Sequence, residues 1–176
     1  MKGSKTVSER LNLLNKIDKI IFVSKWTQNQ FFKGIDRKLI HKTDVIYPSI
    51  NKEKKIYRKN KNIVFVGKLN VSKGYDIYKE AILKILDEFK NWRAFSIGDE
   101  SRERPHINHK RHFELGFLEH KKVLKFLDKS EIAVVPSRWE EPFGRTALES
   151  SSRGCATIIS NRGGLAETTD YCYVLD

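Results

Sequence analysis

The 176-residue sequence has only two cysteines, four prolines and one methionine. Two cysteines are too few for a disulfide framework, and Cys155 and Cys172 both lie against apolar segments typical of buried, reduced thiols. No apolar run approaches the roughly 18 residues that a membrane-spanning helix needs. The opening segment MKGSKTVSER lacks the apolar core of a signal peptide. These absences predict a cytoplasmic protein.

Acidic residues are scarce relative to basic ones, with 22 Asp and Glu against 34 Lys and Arg, which makes the net charge +12. Such an excess favours anionic partners: phosphates, nucleic acids or the acidic inner face of a membrane. The basic residues are not interleaved with aromatic ones as in ribonucleoprotein motifs. We therefore expect no nucleic-acid partner, while a peripheral contact with an acidic membrane stays compatible with the charge.

Short apolar segments alternate with segments of helical periodicity along the chain. Strands are predicted at residues 20–24, 44–48, 62–67, 92–98, 112–117, 131–137, 155–160 and 172–175. Helices are predicted at residues 7–16, 26–33, 75–90, 121–129 and 144–153, with Ser8 and Ser24 as caps of the first two. The 75–90 helix is expected to bury Ile77, Ala81, Ile85 and Phe89. The alternation predicts an α/β fold, a Rossmann-like parallel sheet with helices on both faces.

The segment 51–61 interrupts this alternation with a run of basic residues and a single acid. A charge run of this kind is typical of a solvated connector, so we predict a linker here. The alternation resumes at Asn62 and stops directly after the last predicted strand. We therefore expect the chain to be part of a longer protein, cut at both ends.

Ligands of parallel sheets bind outside the carboxyl ends of the strands, so the loops there are the candidates for chemistry. Lys68 and Lys73 flank one such loop, VGKLNVSKG, and two cations at this edge suit a diphosphate. The alternative is two solvated lysines in a lysine-rich chain.

A second loop, within Pro136–Gly154, leads from a strand into a helix whose first N–H groups are unpaired and able to hold a phosphate. Glu141 precedes this helix and Glu149 lies inside it, and carboxylates can accept hydrogen bonds from sugar or ribose hydroxyls. The spacing alone means little, because 13 glutamates give about one such pair by chance, and Glu80 and Glu88 form another. The surrounding strand–loop–helix pattern distinguishes Glu141 and Glu149.

Four histidines, His106, His109, His112 and His120, cluster in sequence. Neither a cysteine nor an acid completes a tight zinc pattern around them. We predict a solvated loop and no metal site.

Four motifs together resemble glycosyltransferase family 4, whose retaining enzymes have the GT-B fold of two Rossmann-like domains. They are G-K-L-x-x-x-K-G at 67–74, L-G-F-L-E-H at 115–120, V-V-P-S-x-W-x-E-P-F-G-x-x-x-L-E at 134–149, and G-G-L-A-E at 163–167. The resemblance implies that residues 62–176 form the donor-binding domain, truncated at its C-terminus. Residues 1–50 are similar to the end of the family's first domain, which holds the acceptor site and is mostly absent.

The resemblance also implies roles for individual residues. Lys68 and Lys73 match the cations that bind the diphosphate of a nucleotide-sugar, although Lys68 stands where the family more often has Arg. Glu141 matches the acid that contacts the donor sugar, and Glu149 the acid that holds the ribose. The remaining donor-binding positions implied are Gly67, Phe117, Leu118, Phe143, Gly144, Thr146, Ala147 and Leu148. No metal or other cofactor is expected, because cations and the helix start neutralise the leaving diphosphate.

The expected function is that of the donor-binding part of a retaining glycosyltransferase. Its donor would be a UDP-, GDP- or ADP-sugar, and its acceptor a hydroxyl on a glycan or lipid-linked precursor bound by the missing domain. The chain by itself would be inactive in transfer. The alternative is a non-catalytic Rossmann-like nucleotide-binding module.

Overall fold

The computed structural model describes residues 5–51, 57–102 and 106–175. The chain divides into two compact units, Met1–Tyr47 and Pro48–Asp176. Five of the eleven residues of the predicted linker, 52–56, lie outside the described residues. Its last two residues are not linker, because Asn60 and Lys61 begin the first strand of the second unit.

The first unit contains two helices, α1 (Lys5–Lys16) and α2 (Lys25–Phe31), and a two-stranded parallel sheet of β1 (Ile20–Phe22) and β2 (Thr43–Val45). A 3-10 helix at Arg37–Lys42 leads into β2. Ser24 caps α2 as predicted: its side chain accepts from Thr27 N, and the Thr27 side chain accepts from Ser24 N. Ser8 is not a cap, because α1 already begins at Lys5.

The second unit is a six-stranded, all-parallel sheet in the order β5-β4-β3-β6-β7-β8. Its strands are β3 (Asn60–Val66), β4 (Arg93–Ile97), β5 (His112–Glu114), β6 (Ser130–Val135), β7 (Ala156–Ser160) and β8 (Cys172–Leu175). Its helices are α3 (Tyr75–Glu88), α4 (His120–Lys129) and α5 (Arg145–Ser152), with 3-10 turns at Val71–Lys73 and Leu165–Glu167. The predicted Rossmann-like sheet is confirmed.

Helices cover both faces of this sheet because successive strand residues point to opposite sides. Ile63 and Phe65 of β3 share a buried cluster with the inner side of α3. Val64, between them, belongs instead to a cluster with Val123 and Leu127 of α4. The near-continuous apolar run of β3 is therefore explained by burial on both faces.

Helix α3 buries a different side from the one predicted. Tyr75, Tyr78, Ile82 and Leu86 face the core, whereas Ile77 is 41% exposed and Phe89, beyond the helix end, is 47% exposed. Both sets have helical spacing, so periodicity did not separate them. The side with the tyrosines is the buried one because the tyrosine hydroxyls reach buried hydrogen-bond partners. Tyr75 bonds the Ser96 hydroxyl at 3.0 Å, and Tyr78 donates to Phe95 O at 3.1 Å.

Neither cysteine forms a disulfide. Cys155 is buried, and this burial raises the pKa of its thiol to about 11. Across the described ranges, no helix is both long and apolar enough to cross a membrane.

Candidate nucleotide-sugar site

The site lies where the strand order reverses, between β3 and β6. From β3 the chain continues toward β4 and β5, and from β6 it continues toward β7 and β8, so the loops after these two strands diverge from a common crevice. Backbone hydrogen bonds join the two loops directly. The N–H groups of Arg138 and Trp139 both donate to Ser72 O, at 3.0 and 2.9 Å.

Two of the predicted site residues meet in this crevice. Lys73 ends the 3-10 turn after β3, and its Nζ lies 2.6 Å from Oε1 of Glu141 in the loop after β6. Only 34% of the Lys73 side chain and 13% of the Glu141 side chain are exposed. The structure thus places one cation and one carboxylate together at the predicted edge of the sheet.

Backbone and side-chain contacts hold Glu141 in place. The Ser137 hydroxyl donates to Glu141 Oε1 at 2.9 Å, and Gly164 N donates to Glu141 O at 2.6 Å. Gly163 has φ +63, and a Cβ there would lie 2.3 Å from Glu141 O. Gly163 therefore serves a close approach of two backbones, which a larger residue would prevent.

The start of α5 forms the other side of the crevice. Gly144 is the N-cap, with φ +114, and buried Phe143 precedes it. The N–H groups of Ala147 and Leu148 donate to Gly144 O at 3.1 and 3.3 Å. A helix's first N–H groups have no intrahelical acceptor, so those of Arg145 and Thr146 are the ones oriented for an anion.

Glu149 occupies a separate position, one turn into α5. Its side chain is 9% exposed, and its Oε1 lies 3.0 Å from Nε2 of His120 at the start of α4. Arg145, one turn earlier on α5, approaches the same oxygen at 3.4 Å. Glu141 and Glu149 thus have different partners: Lys73 and Ser137 contact Glu141, whereas His120 of α4 and Arg145 of α5 contact Glu149.

The other predicted residues lie around these groups. Lys68 is exposed and forms no ion pair with any residue that the structure describes. Gly67 directly follows β3, and its N–H donates to Ile97 O at 3.0 Å. In the loop before α4, the Phe117 side chain is 76% exposed, whereas Leu118 packs against the core cluster of α4.

The loop that carries Lys73 is anchored to the loop after β4. Asn70 caps the 3-10 turn by accepting from Lys73 N, and its amide donates to Glu100 Oε2 at 2.9 Å. Hydrogen bonds from Arg102 and from Asn70 lower the pKa of Glu100 to about 2. Glu100 therefore stays ionised at neutral pH and keeps its hold on Asn70.

The four histidines have separate partners. His106 contacts Glu114, His109 contacts Asp87, His120 contacts Glu149, and His112 contacts the Ser96 hydroxyl at 2.8 Å. The prediction of a solvated loop is wrong for His112, which is buried under α3. Within residues 5–51, 57–102 and 106–175, no three His, Cys, Asp or Glu side chains are grouped as metal ligands.

Sequence reasoning missed two side chains that support the carboxylates, Ser137 beneath Glu141 and His120 beside Glu149. Ser137 had a usable signal, since it follows directly after a strand at the ligand-binding edge. His120 is the last residue of the L-G-F-L-E-H motif, but only the packing of α4 beside α5 brings it to Glu149.

Residues 47–170 match the protein family described as glycosyl transferases group 1. The chain belongs to this family. The match covers five of the six strands of the larger sheet, β3 to β7, and the whole of the crevice described above. The sheet edge that carries Lys73, Glu141 and Glu149 is therefore the corresponding part of a group 1 glycosyl transferase domain.

Both characterised and uncharacterised proteins are similar in sequence to part of this chain. An uncharacterised glycosyltransferase of Methanocaldococcus jannaschii is 32% identical over 114 residues, 61% of this chain and 29% of that protein. Glycogen synthase of Mycobacterium tuberculosis is 43% identical over 53 residues, 30% of this chain and 13% of the enzyme. The chain thus spans about a third or less of the length of these relatives.

Solved structures extend the likeness of the fold beyond the matched segment. HepE of Anabaena, in complex with UDP and glucose, superposes with a TM-score of 0.75 at 19% identity, covering 98% of this chain and 54% of HepE. WaaG, a glycosyltransferase involved in lipopolysaccharide biosynthesis, gives 0.71 at 16% identity and covers 89% of this chain and 49% of WaaG. Because the sequence identities are below 20%, these superpositions show only that the fold is shared, and that fold is GT-B.

Proposed function

We propose that this chain is the donor-binding part of a retaining, family 4 glycosyltransferase that moves a sugar from a nucleoside-diphosphate sugar to a hydroxyl acceptor. The observation that carries the proposal is the Lys73–Glu141 pair, 2.6 Å apart beside the start of α5 at the switch point of a group 1 domain. A cation, a carboxylate and an anion-binding helix start are the groups that a nucleotide-sugar requires in one place.

The diphosphate is bound by Lys73, Lys68 and the first N–H groups of α5. Charge that develops on the leaving diphosphate is stabilised by preorganised donors of this kind, so the reaction needs no divalent metal. Lys68 contributes a point charge without the two-pronged geometry of an arginine. Lys73 is the stronger contributor, since Asn70 and the loop after β4 hold it in the crevice.

Glu141 accepts hydrogen bonds from the hydroxyls of the transferred sugar, together with backbone groups of Phe143 and Gly144. Glu149, deeper in α5, accepts hydrogen bonds from the ribose. The loop with Gly67 and the loop with Phe117 and Leu118 flank the base, and the exposed Phe117 ring is available for stacking. The nucleotide thus extends from the start of α5 toward α4.

In the retaining reaction, the nucleoside diphosphate leaves from the face that the acceptor hydroxyl approaches. The structure of HepE with UDP and glucose supports a UDP-sugar as donor, with GDP- and ADP-sugars as the alternatives. The role of WaaG in lipopolysaccharide biosynthesis supports a glycan or lipid-linked acceptor, held by residues outside this chain. The net charge of +12 supports a peripheral position at an acidic membrane face.

Calorimetry of the 176-residue chain with UDP, GDP, ADP and their sugars tests donor binding. We expect binding of at least one nucleotide, unchanged by EDTA. Lys73→Ala should weaken it roughly 10- to 150-fold, since a hydrogen bond to a charged group contributes ~1.5–3 kcal/mol. Lys84→Ala, which removes an exposed lysine from the far side of α3, is the matched control and should change nothing.

Binding of none of the three nucleotides, or binding that EDTA abolishes and magnesium restores, would contradict the proposal. The chain alone should transfer sugar very slowly, because positioning donor against acceptor supplies much of the rate. A longer protein that contains this chain should transfer with retention at the anomeric carbon, measured by NMR. Nucleotide binding without any transfer by that protein would favour a non-catalytic module instead.

A further inference from the structure

His120 and Glu149 come from different helices but meet at hydrogen-bond distance. His120 is the first residue of α4 and Glu149 lies in the second turn of α5, with Nε2 and Oε1 3.0 Å apart. The His120 side chain is 54% exposed, whereas that of Glu149 is 9% exposed. A largely solvent-facing residue thus reaches inward to a buried carboxylate.

The contact has a definite chemical direction. A carboxylate oxygen only accepts, so Nε2 of His120 must carry the proton. Arg145 approaches Oε1 as well, at 3.4 Å, and the described residues place no hydrogen bond on Oε2. The protein therefore occupies one oxygen of Glu149 and leaves the other for a ligand.

We propose that His120 is a positioning residue that orients Glu149 for the ribose hydroxyls of the bound nucleotide. This inference rests on the proposed function, in which Glu149 holds the ribose. Without the Nε2–H donor, the Glu149 carboxylate is held only by the longer Arg145 contact. A misplaced acceptor loses much of its hydrogen bond to the ligand even though the carboxylate itself is still present.

The inference predicts a change in specificity rather than a uniform loss of affinity. A nucleotide that lacks the ribose hydroxyls gains nothing from a well-oriented Glu149, so His120 should not affect its binding. Removal of His120 should therefore reduce the preference for the ribonucleotide over its 2′,3′-dideoxy form. A purely structural role for His120 would weaken both forms alike.

The experiment compares each ribonucleoside diphosphate, UDP, GDP and ADP, with its 2′,3′-dideoxy form by calorimetry on the 176-residue chain. The variants are His120→Ala, His120→Gln and His106→Ala. Glutamine carries an N–H at a similar reach, so His120→Gln should keep the preference. His106→Ala removes another exposed histidine paired with a glutamate, Glu114 at 3.2 Å, and is the matched control.

We expect His120→Ala to lower the ribo-to-dideoxy preference about 3- to 10-fold, the range for one hydrogen bond, with dideoxy affinity and melting temperature unchanged. If the unaltered chain prefers the ribonucleotide and His120→Ala keeps that preference, the inference is wrong while the proposed function stands. If the unaltered chain binds both forms equally, Glu149 does not hold the ribose, and the inference fails with that role. If it binds no nucleotide, the proposed function and the inference are both wrong.

Discussion

Lys73 and Glu141 are 68 positions apart in the sequence, and their side chains form a 2.6 Å ion pair at the switch point of the parallel sheet. In the proposed function, Lys73 binds the diphosphate and Glu141 binds the sugar. The two roles are therefore electrostatically coupled. If either side chain is removed, the remaining charged group, which is mostly buried, loses its ion-pair partner. Substitutions at this pair must be interpreted together.

The two site carboxylates should separate by ligand. Glu149→Ala should weaken free nucleoside diphosphate and nucleotide-sugar alike, roughly 10- to 150-fold for the loss of a hydrogen bond to a charged group. Glu141→Ala should weaken only the nucleotide-sugar, and free diphosphate should bind as well or tighter because Lys73 loses its competing carboxylate. Calorimetry of both variants with both ligands gives the four affinities.

Glu88→Ala is the control for these variants, because Glu88 lies exposed on α3 in a pair with Glu80 that shares the same spacing. Equal weakening of both ligands by Glu141→Ala would refute the division of roles. If neither site variant changes ligand affinity while the protein stays folded, the spacing of Glu141 and Glu149 has no more functional meaning than that of Glu80 and Glu88.

Gly163→Ala should displace the backbone of Glu141, which is distant in sequence but adjacent in the structure. Gly163 has φ +63, and an added Cβ would lie 2.3 Å from Glu141 O and 2.6 Å from Glu141 N, so the loop must move. We expect nucleotide-sugar affinity to fall more than free diphosphate affinity, with a loss of stability on the order of 1–3 kcal/mol from backbone strain. Calorimetry and thermal unfolding measure the two effects.

Gly154→Ala provides a control with a similar backbone. Gly154 has φ +75, but its added Cβ would meet only the Lys59 side chain, at an ordinary distance of 3.7 Å. This variant should lose stability without changing the ratio of the two affinities. If Gly163→Ala also leaves the ratio of nucleotide-sugar to free diphosphate affinity unchanged, Gly163 serves only the turn.

The stability of the second unit should fall as the pH drops below about 6.5, in part because of His112. Burial lowers the pKa of His112 below its ordinary value of 6.5, outweighing the attraction of Glu114. The unfolded chain then takes up a proton that the folded protein refuses, so His112 costs stability only below that pH. The slope from one such group reaches at most about 1.4 kcal/mol per pH unit.

Urea unfolding between pH 7.5 and 5.0 measures this slope. His112→Gln, whose amide can still hydrogen-bond the Ser96 hydroxyl, should flatten it even if the variant is less stable throughout. His41→Gln, at an exposed side chain of the first unit, should leave the slope as in the unaltered protein. A His112→Gln slope equal to that of the unaltered protein would assign the acid sensitivity to other groups.

Most of the helices and strands, and the edge of the sheet at which the site lies, follow from local features of the sequence. Apolar runs and helical periodicity are local properties, and they predicted the parallel sheet together with the loops after β3 and β6. Turn chemistry was equally local, as with Ser24, whose side chain caps α2 from the position where the helix begins. Motif order then indicated the roles of Lys73, Glu141 and Glu149.

The buried side of α3 and the contacts between distant side chains depend on the packing of the whole domain. Tyr78 and Ile77 both belong to apolar stripes of helical spacing, and the choice came from the partners that β4 offers to the tyrosine hydroxyls. His120 and Glu149 meet because α4 packs beside α5, and Lys73 and Glu141 meet because β3 and β6 are neighbours. Such contacts depend on the path of the chain through the sheet, a physical property that no local stretch of sequence contains.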